Sequence, residues 1–314
     1  MTVVYIILGI VALLFIVSFA LALFFAKMVT KPHCHTYDSA RKQVLDHCSI
    51  DPYKILEEHE VKDFSYPSPR GYSLKGRIIS PDPSLSFPDG RKRAVILCHG
   101  WTGNHITMLT YGKLYLDLGF YLVAYDHRYH GENEKRKGTH CTMGLYESLD
   151  LQGLYEFIRK EFPQDTVWGL QGESMGSATV MQAAPEMKGI SFIVEDCGFS
   201  SMRGQMAATL DNTHLPHFPI LNLGSLILKT AYQLDMSKVN AAKAVENIDV
   251  PMLFCQGDND TFVPTRMIYD VYNAKKDKKR MQLFKGSKHA ESIWDHTEQY
   301  AKVLKEFLQD YGII

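Results

Sequence analysis

The feature that most constrains the fold is a Gly-x-Ser-x-Gly turn at residues 172–176. A short, β-favouring apolar run (166–171) precedes the turn, and a run typical of a helix (177–184) follows it. A strand, a tight turn and a helix in this order place the central serine on a sharp bend, where its hydroxyl stands clear of the sheet. Small flanking residues let the strand and helix approach each other, and the helix N-terminus favours negative charge nearby. The sequence therefore predicts that Ser174 is a nucleophile.

Short apolar runs alternate with helical segments along most of the remaining chain. The predicted strands lie at 60–66, 72–79, 94–98, 120–125, 166–171, 190–196, 250–255 and 281–284. The predicted helices lie at 106–118, 145–162, 177–184, 265–273 and 295–311, and a charged loop ends near 142. The first two strands form a hairpin, whereas the continuous apolar runs are typical of strands buried on both faces. This alternation predicts one α/β domain over 57–314, with a mostly parallel sheet and helices on both faces.

The alternation stops between residues 197 and 247. Apolar side chains crowd this stretch, and Pro216, Pro219 and Gly224 interrupt it. We predict a lid of short helices, inserted before the last strands. Ordinary helical packing against the sheet is the alternative, and both can hold because a lid needs an apolar underside.

The N-terminus carries a long apolar segment, with no charged residue from 3 to 26. As a helix it would be about 36 Å long, enough to cross a hydrocarbon core of ~30 Å. Residues 1–26 are therefore predicted to be a transmembrane anchor. A cleaved signal peptide is the alternative, but it would have a basic start and a shorter apolar core.

Positive charge follows the apolar segment, at Lys27, Lys31, Arg41 and Lys42. Because positive residues favour the cytoplasmic side of a membrane, we expect a single-pass protein whose catalytic domain is cytoplasmic. The stretch 27–56 is polar and is predicted to be a juxtamembrane linker that contains a short amphipathic helix near 39–46.

Composition limits the partners and cofactors of the chain. The net charge of −1 gives no electrostatic footprint for nucleic acid, and the six cysteines have no spacing that indicates a disulfide framework. The linker contains histidine and cysteine at 33–35 and 47–48, but this spacing matches no standard zinc site. We therefore predict neither a metal nor an organic cofactor.

A serine hydroxyl needs a base, and the base needs an acid that orients it. Candidates should follow the strands, because ligands bind at the carboxyl ends of strands in open α/β sheets. His289 fits as the base, since it lies five residues after the last predicted strand. Asp260 fits as the acid, after the penultimate strand, with Asp258 as a close alternative and Asp196 as a more distant one.

An oxyanion hole needs two backbone N–H donors. One is predicted at Met175, directly after the nucleophile. The other is predicted at Trp101, in the loop after the strand 94–98, where Gly100 would permit an unusual backbone.

The chain resembles the α/β hydrolases, in the broad group of esterases, lipases and serine aminopeptidases, over residues 57–311. The resemblance is carried by His99-Gly100-Trp101, Asp126-His127-Arg128-Tyr129-His130-Gly131, Gly172-Glu173-Ser174-Met175-Gly176, Gly257-Asp258-Asn259-Asp260 with Val263-Pro264, and His289. It implies an α/β-hydrolase fold in which Ser174, Asp260 and His289 form the catalytic triad. The chain has Arg128-Tyr129-His130-Gly131 where many members have Arg-Gly-His-Gly. That motif is structural, so the departure leaves the implied catalysis intact.

The resemblance implies a serine hydrolase that cleaves a small-molecule carboxylic ester. The apolar lid and the membrane anchor suggest acyl or lipid-like esters. A peptidase or amidase is the alternative; it would need an acidic pocket for a substrate amine, for which the lid offers Asp211 and Asp235. An acyltransferase and a non-catalytic binding protein are further alternatives on the same fold.

Overall fold

A computed structural model describes residues 1–133, 135 and 139–314. Residues 134 and 136–138, which belong to the predicted charged loop, lie outside the described residues.

The centre of the domain is an eight-stranded sheet with the order β1-β2-β4-β3-β5-β6-β7-β8. The strands are β1 (Val61–Ser68), β2 (Tyr72–Ile79), β3 (Arg93–Cys98), β4 (Tyr121–Tyr125), β5 (Val167–Glu173), β6 (Ile190–Asp196), β7 (Met252–Gly257) and β8 (Lys279–Phe284). β1 pairs antiparallel with β2, and β2 pairs antiparallel with β4; the strands from β4 to β8 are parallel. The predicted mostly parallel α/β sheet is confirmed.

Helices cover both faces of this sheet. The helices are α1 (Thr2–Thr30), α2 (Tyr37–His47), α3 (Pro52–Glu58), α4 (Leu109–Leu116), α5 (Leu145–Ile158), α6 (Met175–Ala183), α7 (Met202–Asn212), α8 (Ile220–Ala231), α9 (Ala241–Val245), α10 (Arg266–Ala274), α11 (Ser292–Asp295) and α12 (Thr297–Asp310). One core packs α4 and α12 on the sheet, through residues such as Tyr115 and Phe307. The other packs α5, α6 and α10, through residues such as Leu154 and Val180.

Several element boundaries differ from the sequence prediction by a few residues, and three of them have a clear structural description. β8 begins at Lys279, because backbone pairing with Met252 extends the strand into the charged residues before it. α4 begins at Leu109, after a turn that the prediction had included in the helix. The C-terminal helix is divided at His296 into α11 and α12.

Residues 27–56 differ from the expected polar linker. α1 continues to Thr30, and α2 and α3 pack on the domain. Ala40 and Val44 are fully buried, and because they lie four residues apart they share one face of α2. The short amphipathic helix predicted near 39–46 is therefore present as α2, but its apolar face packs on the domain.

Candidate active site

The turn at Ser174 has the strained geometry that a nucleophile elbow needs. Ser174 has a φ of 53° and a ψ of −113°, an arrangement that costs roughly 1–3 kcal/mol when the surrounding structure enforces it. A Cβ on Gly172 would lie 2.6 Å from the carbonyl carbon of Gly176. A Cβ on Gly176 would overlap the carbonyl oxygen of Cys98. The two glycines therefore allow β5, α6 and the end of β3 to meet at this point.

Hydrogen bonds hold the turn in place. The backbone N–H of Ser174 donates to the carbonyl oxygen of Asp196 at 2.8 Å. The Ser177 hydroxyl lies 2.8 Å from the carbonyl oxygen of Gly172 and 2.9 Å from that of Asp196. The nucleophile elbow is thus tied to the end of the neighbouring strand, β6.

The structure brings Ser174, His289 and Asp260 together in one chain of hydrogen bonds. The distance from Ser174 Oγ to His289 Nε2 is 2.9 Å. The distance from His289 Nδ1 to Asp260 Oδ2 is 2.8 Å. A proton on Nδ1 that donates to Asp260 leaves Nε2 free to accept the proton of the serine hydroxyl.

Asp260 is held as a buried acceptor. Its side chain is 0% exposed. Its Oδ1 accepts the backbone N–H groups of Phe262 and Val263, both at 2.9 Å, and its Oδ2 accepts the amide of Gln256 at 3.2 Å. These donors fix the carboxylate so that Oδ2 faces the imidazole.

The two alternative acids have other partners. Asp258 is exposed, and its Oδ1 accepts the backbone N–H of Gly286 at 2.6 Å, which steadies the loop that carries His289. Asp196 is buried and accepts the hydroxyl of Tyr111 at 3.0 Å, and burial raises its pKa to about 6. Of the three acids, Asp260 is the one hydrogen-bonded to His289.

Trp101 and Met175, the two predicted oxyanion donors, both lie near Ser174: Met175 follows it in the chain, and Trp101 lines the same two spaces as Ser174. Met175 is the first residue of α6, so its N–H has no partner within the helix. Among the described residues, neither the Met175 N–H nor the Trp101 N–H donates to a protein acceptor. The unusual backbone lies not at Gly100 but at Thr102, which has a φ of 69°.

Gly100 has a different role from the one expected. A Cβ at this position would lie 2.8 Å from Glu173 Oε1 and 3.5 Å from Ser174 Cβ. The absence of a side chain therefore lets the loop after β3 approach the nucleophile elbow.

Glu173 is a buried acid that the sequence prediction did not include. It precedes Ser174, and burial, helped by nearby Asp196, raises its pKa to about 7, while His289 opposes the shift. Near pH 7 Glu173 therefore carries less negative charge beside the imidazole than an ordinary glutamate would. The place of Glu173 between Gly172 and Ser174 in the sequence carries no sign of this burial.

Ser174 lies between two spaces of different polarity. On one side is an apolar pocket lined by α1, the lid helices α7 and α8, and Trp101. On the other is a more polar cleft, whose walls include Gln43, His47, Glu173 and Glu291 beside aromatic side chains. The site can therefore hold a molecule with one apolar and one polar end.

The side chains of Cys197, Asp260 and His289 place one potential metal ligand each within 4.8 Å of one another. Two of these atoms belong to groups that are hydrogen-bonded to each other, and burial raises the pKa of the Cys197 thiol well above its usual range. Because a thiolate is the form that binds metal, these residues do not make a good metal site.

Comparisons with known proteins support the fold. A family model described as "alpha/beta hydrolase fold" matches residues 93–190. An uncharacterized protein, YqkD of Bacillus subtilis (strain 168), is 29% identical over 263 residues, which cover 83% of each chain. The esterase PF2001 of Pyrococcus furiosus superposes with a TM-score of 0.65 at 21% identity, over 84% of this chain and 95% of the esterase.

The acylaminoacyl peptidase of Pyrococcus horikoshii has a TM-score of 0.59 at 18% identity, over 83% of this chain and 43% of the peptidase. The chain therefore has the α/β-hydrolase fold, and its predicted resemblance to the α/β hydrolases is confirmed.

Proposed function

We propose that the protein is a serine hydrolase that cleaves carboxylic esters, with Ser174, His289 and Asp260 as its catalytic triad. Ser174 Oγ attacks the ester carbonyl while His289 Nε2 takes its proton. His289 then returns the proton to the departing alcohol, and an acyl-enzyme remains. Water, activated by the same imidazole, releases the acid and restores Ser174.

The observation that carries this proposal is the unbroken hydrogen-bond chain at the strained nucleophile elbow. Ser174, His289 and Asp260 come from three loops that are far apart in sequence, yet their reacting atoms are 2.9 and 2.8 Å apart. A surface histidine or a merely structural serine does not require this alignment. Esterases among the structural neighbours support the same class of reaction.

The N–H groups of Met175 and Trp101 are proposed to bind the oxyanion. Charge develops on the carbonyl oxygen as the serine attacks, and preorganised donors stabilise it most in a site that excludes water. In similar enzymes the loss of one such donor lowers the rate by about 10²–10³-fold.

An amidase or peptidase is the second candidate. The lid acids do not support it: Asp211 pairs with His217, Asp235 pairs with Lys229, and neither is among the residues that line the two spaces around Ser174. Glu173 and Glu291 do line the polar cleft, where a substrate amine could bind. The fold shared with the acylaminoacyl peptidase adds to this alternative.

A substrate panel distinguishes these activities. We expect p-nitrophenyl esters to be hydrolysed with a kcat/KM well above that for aminoacyl p-nitroanilides, because the apolar pocket beside Ser174 suits an acyl chain better than a charged amine. Adding an alcohol acceptor and measuring new ester against free acid tests for acyl transfer. Faster cleavage of the anilides would overturn the ester assignment in favour of the peptidase.

The proposed location is the membrane. By length and composition, α1 is the one described helix that could span a membrane; its most apolar stretch has a mean hydropathy of 3.1 and is almost wholly exposed. With Lys27 in the last turn of α1 and Lys31 directly after it, the catalytic domain is proposed to face the cytoplasm. Digestion of that domain by protease added outside intact cells would contradict this orientation.

A further inference from the structure

The end of α1 forms part of the wall beside Ser174. Ala22, Ala26 and Val29 are buried against the lid, and their spacing of four and three residues places them on one helix face. Two of them are alanines, whose small side chains let α8 approach closely. The same helix that could cross the membrane therefore borders the apolar pocket.

The opposite face of α1 is open. Leu23 and Phe24 are exposed at the height of the pocket, and the preceding turns are exposed as well. The lid next to α1 also exposes large apolar side chains, since Phe218 is 76% exposed and Leu226 is 58% exposed. Large apolar side chains exposed beside an apolar helix are typical of a surface that contacts lipid.

We propose that the pocket holds the acyl chain of a long-chain lipid ester, which enters from the bilayer along α1 and α8. This inference rests on the proposed ester hydrolysis and names its substrate class. The ester carbonyl would lie at Ser174, and the alcohol part of the lipid would occupy the polar cleft. The last turns of α1 are then both a membrane anchor and a wall of the substrate site.

The pocket suits this occupant in its lining. Its volume of about 80 Å³ is small, so the pocket would hold the first carbons of the acyl chain, and the rest would extend through its open mouth. Gln205, Thr209 and Ser174 are the polar residues among its otherwise apolar lining. An acyl chain has no polar group that would need a hydrogen-bond partner in this lining.

α1 is also fixed to the loop that offers the proposed oxyanion donor. The indole Nε1–H of Trp101 donates to the carbonyl oxygen of Val29 at 3.3 Å, and the backbone N–H of Cys141 donates to that of Thr30 at 2.9 Å. The position of the membrane helix is therefore coupled to the position of Trp101.

Gly224 allows a direct test, because it lines the pocket on α8 and a Cβ there would meet no atom within 4 Å. Gly224→Leu and Gly224→Phe should narrow the acyl pocket, and replacing a helical glycine favours the helix. Full-length protein in detergent is assayed with p-nitrophenyl palmitate and p-nitrophenyl butyrate. We expect kcat/KM for p-nitrophenyl palmitate to fall about tenfold or more, and kcat/KM for p-nitrophenyl butyrate to change less than about twofold. Gly9→Leu, also in open space but on the N-terminal part of α1, is the matched control and should change neither.

Unchanged hydrolysis of palmitate by Gly224→Phe would overturn the acyl-pocket assignment. If a Gly224 variant hydrolyses neither ester, its rates of labelling by ethyl and hexadecyl fluorophosphonates are compared with those of the wild type. The inference is supported if only the hexadecyl probe reacts more slowly with the variant. It is contradicted if both probes are slowed equally. A wild-type protein that cleaves butyrate but not palmitate overturns this inference alone. A wild-type protein that cleaves neither overturns the proposed function, and this inference with it.

Discussion

Replacing Ser174 by alanine is expected to lower kcat for ester hydrolysis by about 10⁴-fold or more, because the acyl-enzyme can no longer form. The substitution removes one oxygen and leaves the elbow glycines in place, so the folded state should persist. Steady-state kinetics, together with thermal unfolding, measure the two effects separately. A Ser174→Ala protein that keeps a tenth of the wild-type kcat would contradict the assignment of the nucleophile.

Ser177→Ala is the matched control, because Ser177 lies in the first turn of α6, three residues after Ser174. The Ser177 hydroxyl lies within hydrogen-bond distance of two backbone carbonyl oxygens but not of His289 in the described contacts. Its loss should reduce the free energy of unfolding by about 1–3 kcal/mol, because it leaves buried polar groups unpaired. Comparing the two variants therefore separates a loss of folding stability at the turn from a loss of kcat caused by removing the nucleophile.

Replacing Asp260 by asparagine is expected to lower kcat by about 10⁴-fold while the fold is retained. An amide N–H placed opposite His289 Nδ1 favours the tautomer whose proton sits on Nε2. That nitrogen then cannot accept the proton of Ser174. The kcat for p-nitrophenyl butyrate, measured at saturating substrate, reports this loss.

Asp258→Asn is the control for this prediction, because it changes the same chemical group two residues away. Asp258 accepts the backbone N–H of Gly286, and asparagine keeps an oxygen that can do so. We expect kcat to stay within about threefold of wild type, as for most exposed substitutions away from the reacting atoms. The reverse pattern, with a larger loss for Asp258→Asn, would make Asp258 the acid of the triad.

The sequence was most informative where function depends on local order along the chain. The elbow at Ser174 was predictable because its glycines, strand and helix are adjacent in sequence. Asp260 and His289 were predictable as candidates because residues that follow parallel strands meet at one edge of a sheet. Spacing alone does not separate Asp258 from Asp260 decisively, since the choice depends on which of the two side chains the loop buries.

The wall of the acyl pocket could not be predicted from the sequence. Alanine is equally compatible with lipid and with the packed lid, so the sequence of an apolar helix does not indicate that the face with Ala22 and Ala26 is the packed one. The raised pKa of Glu173 could not be predicted from the sequence either, because it arises from burial and from Asp196 on a different strand. Both features depend on tertiary packing rather than on a local pattern.

The most direct test of the proposed triad is to react the full-length protein with an alkyl fluorophosphonate and map the modified peptide. These reagents modify a serine only when a neighbouring base activates it. The proposal predicts one phosphonyl adduct, on Ser174, which is absent from Ser174→Ala and forms more slowly in Asp260→Asn. An adduct on a different residue, or none from folded protein, would contradict it.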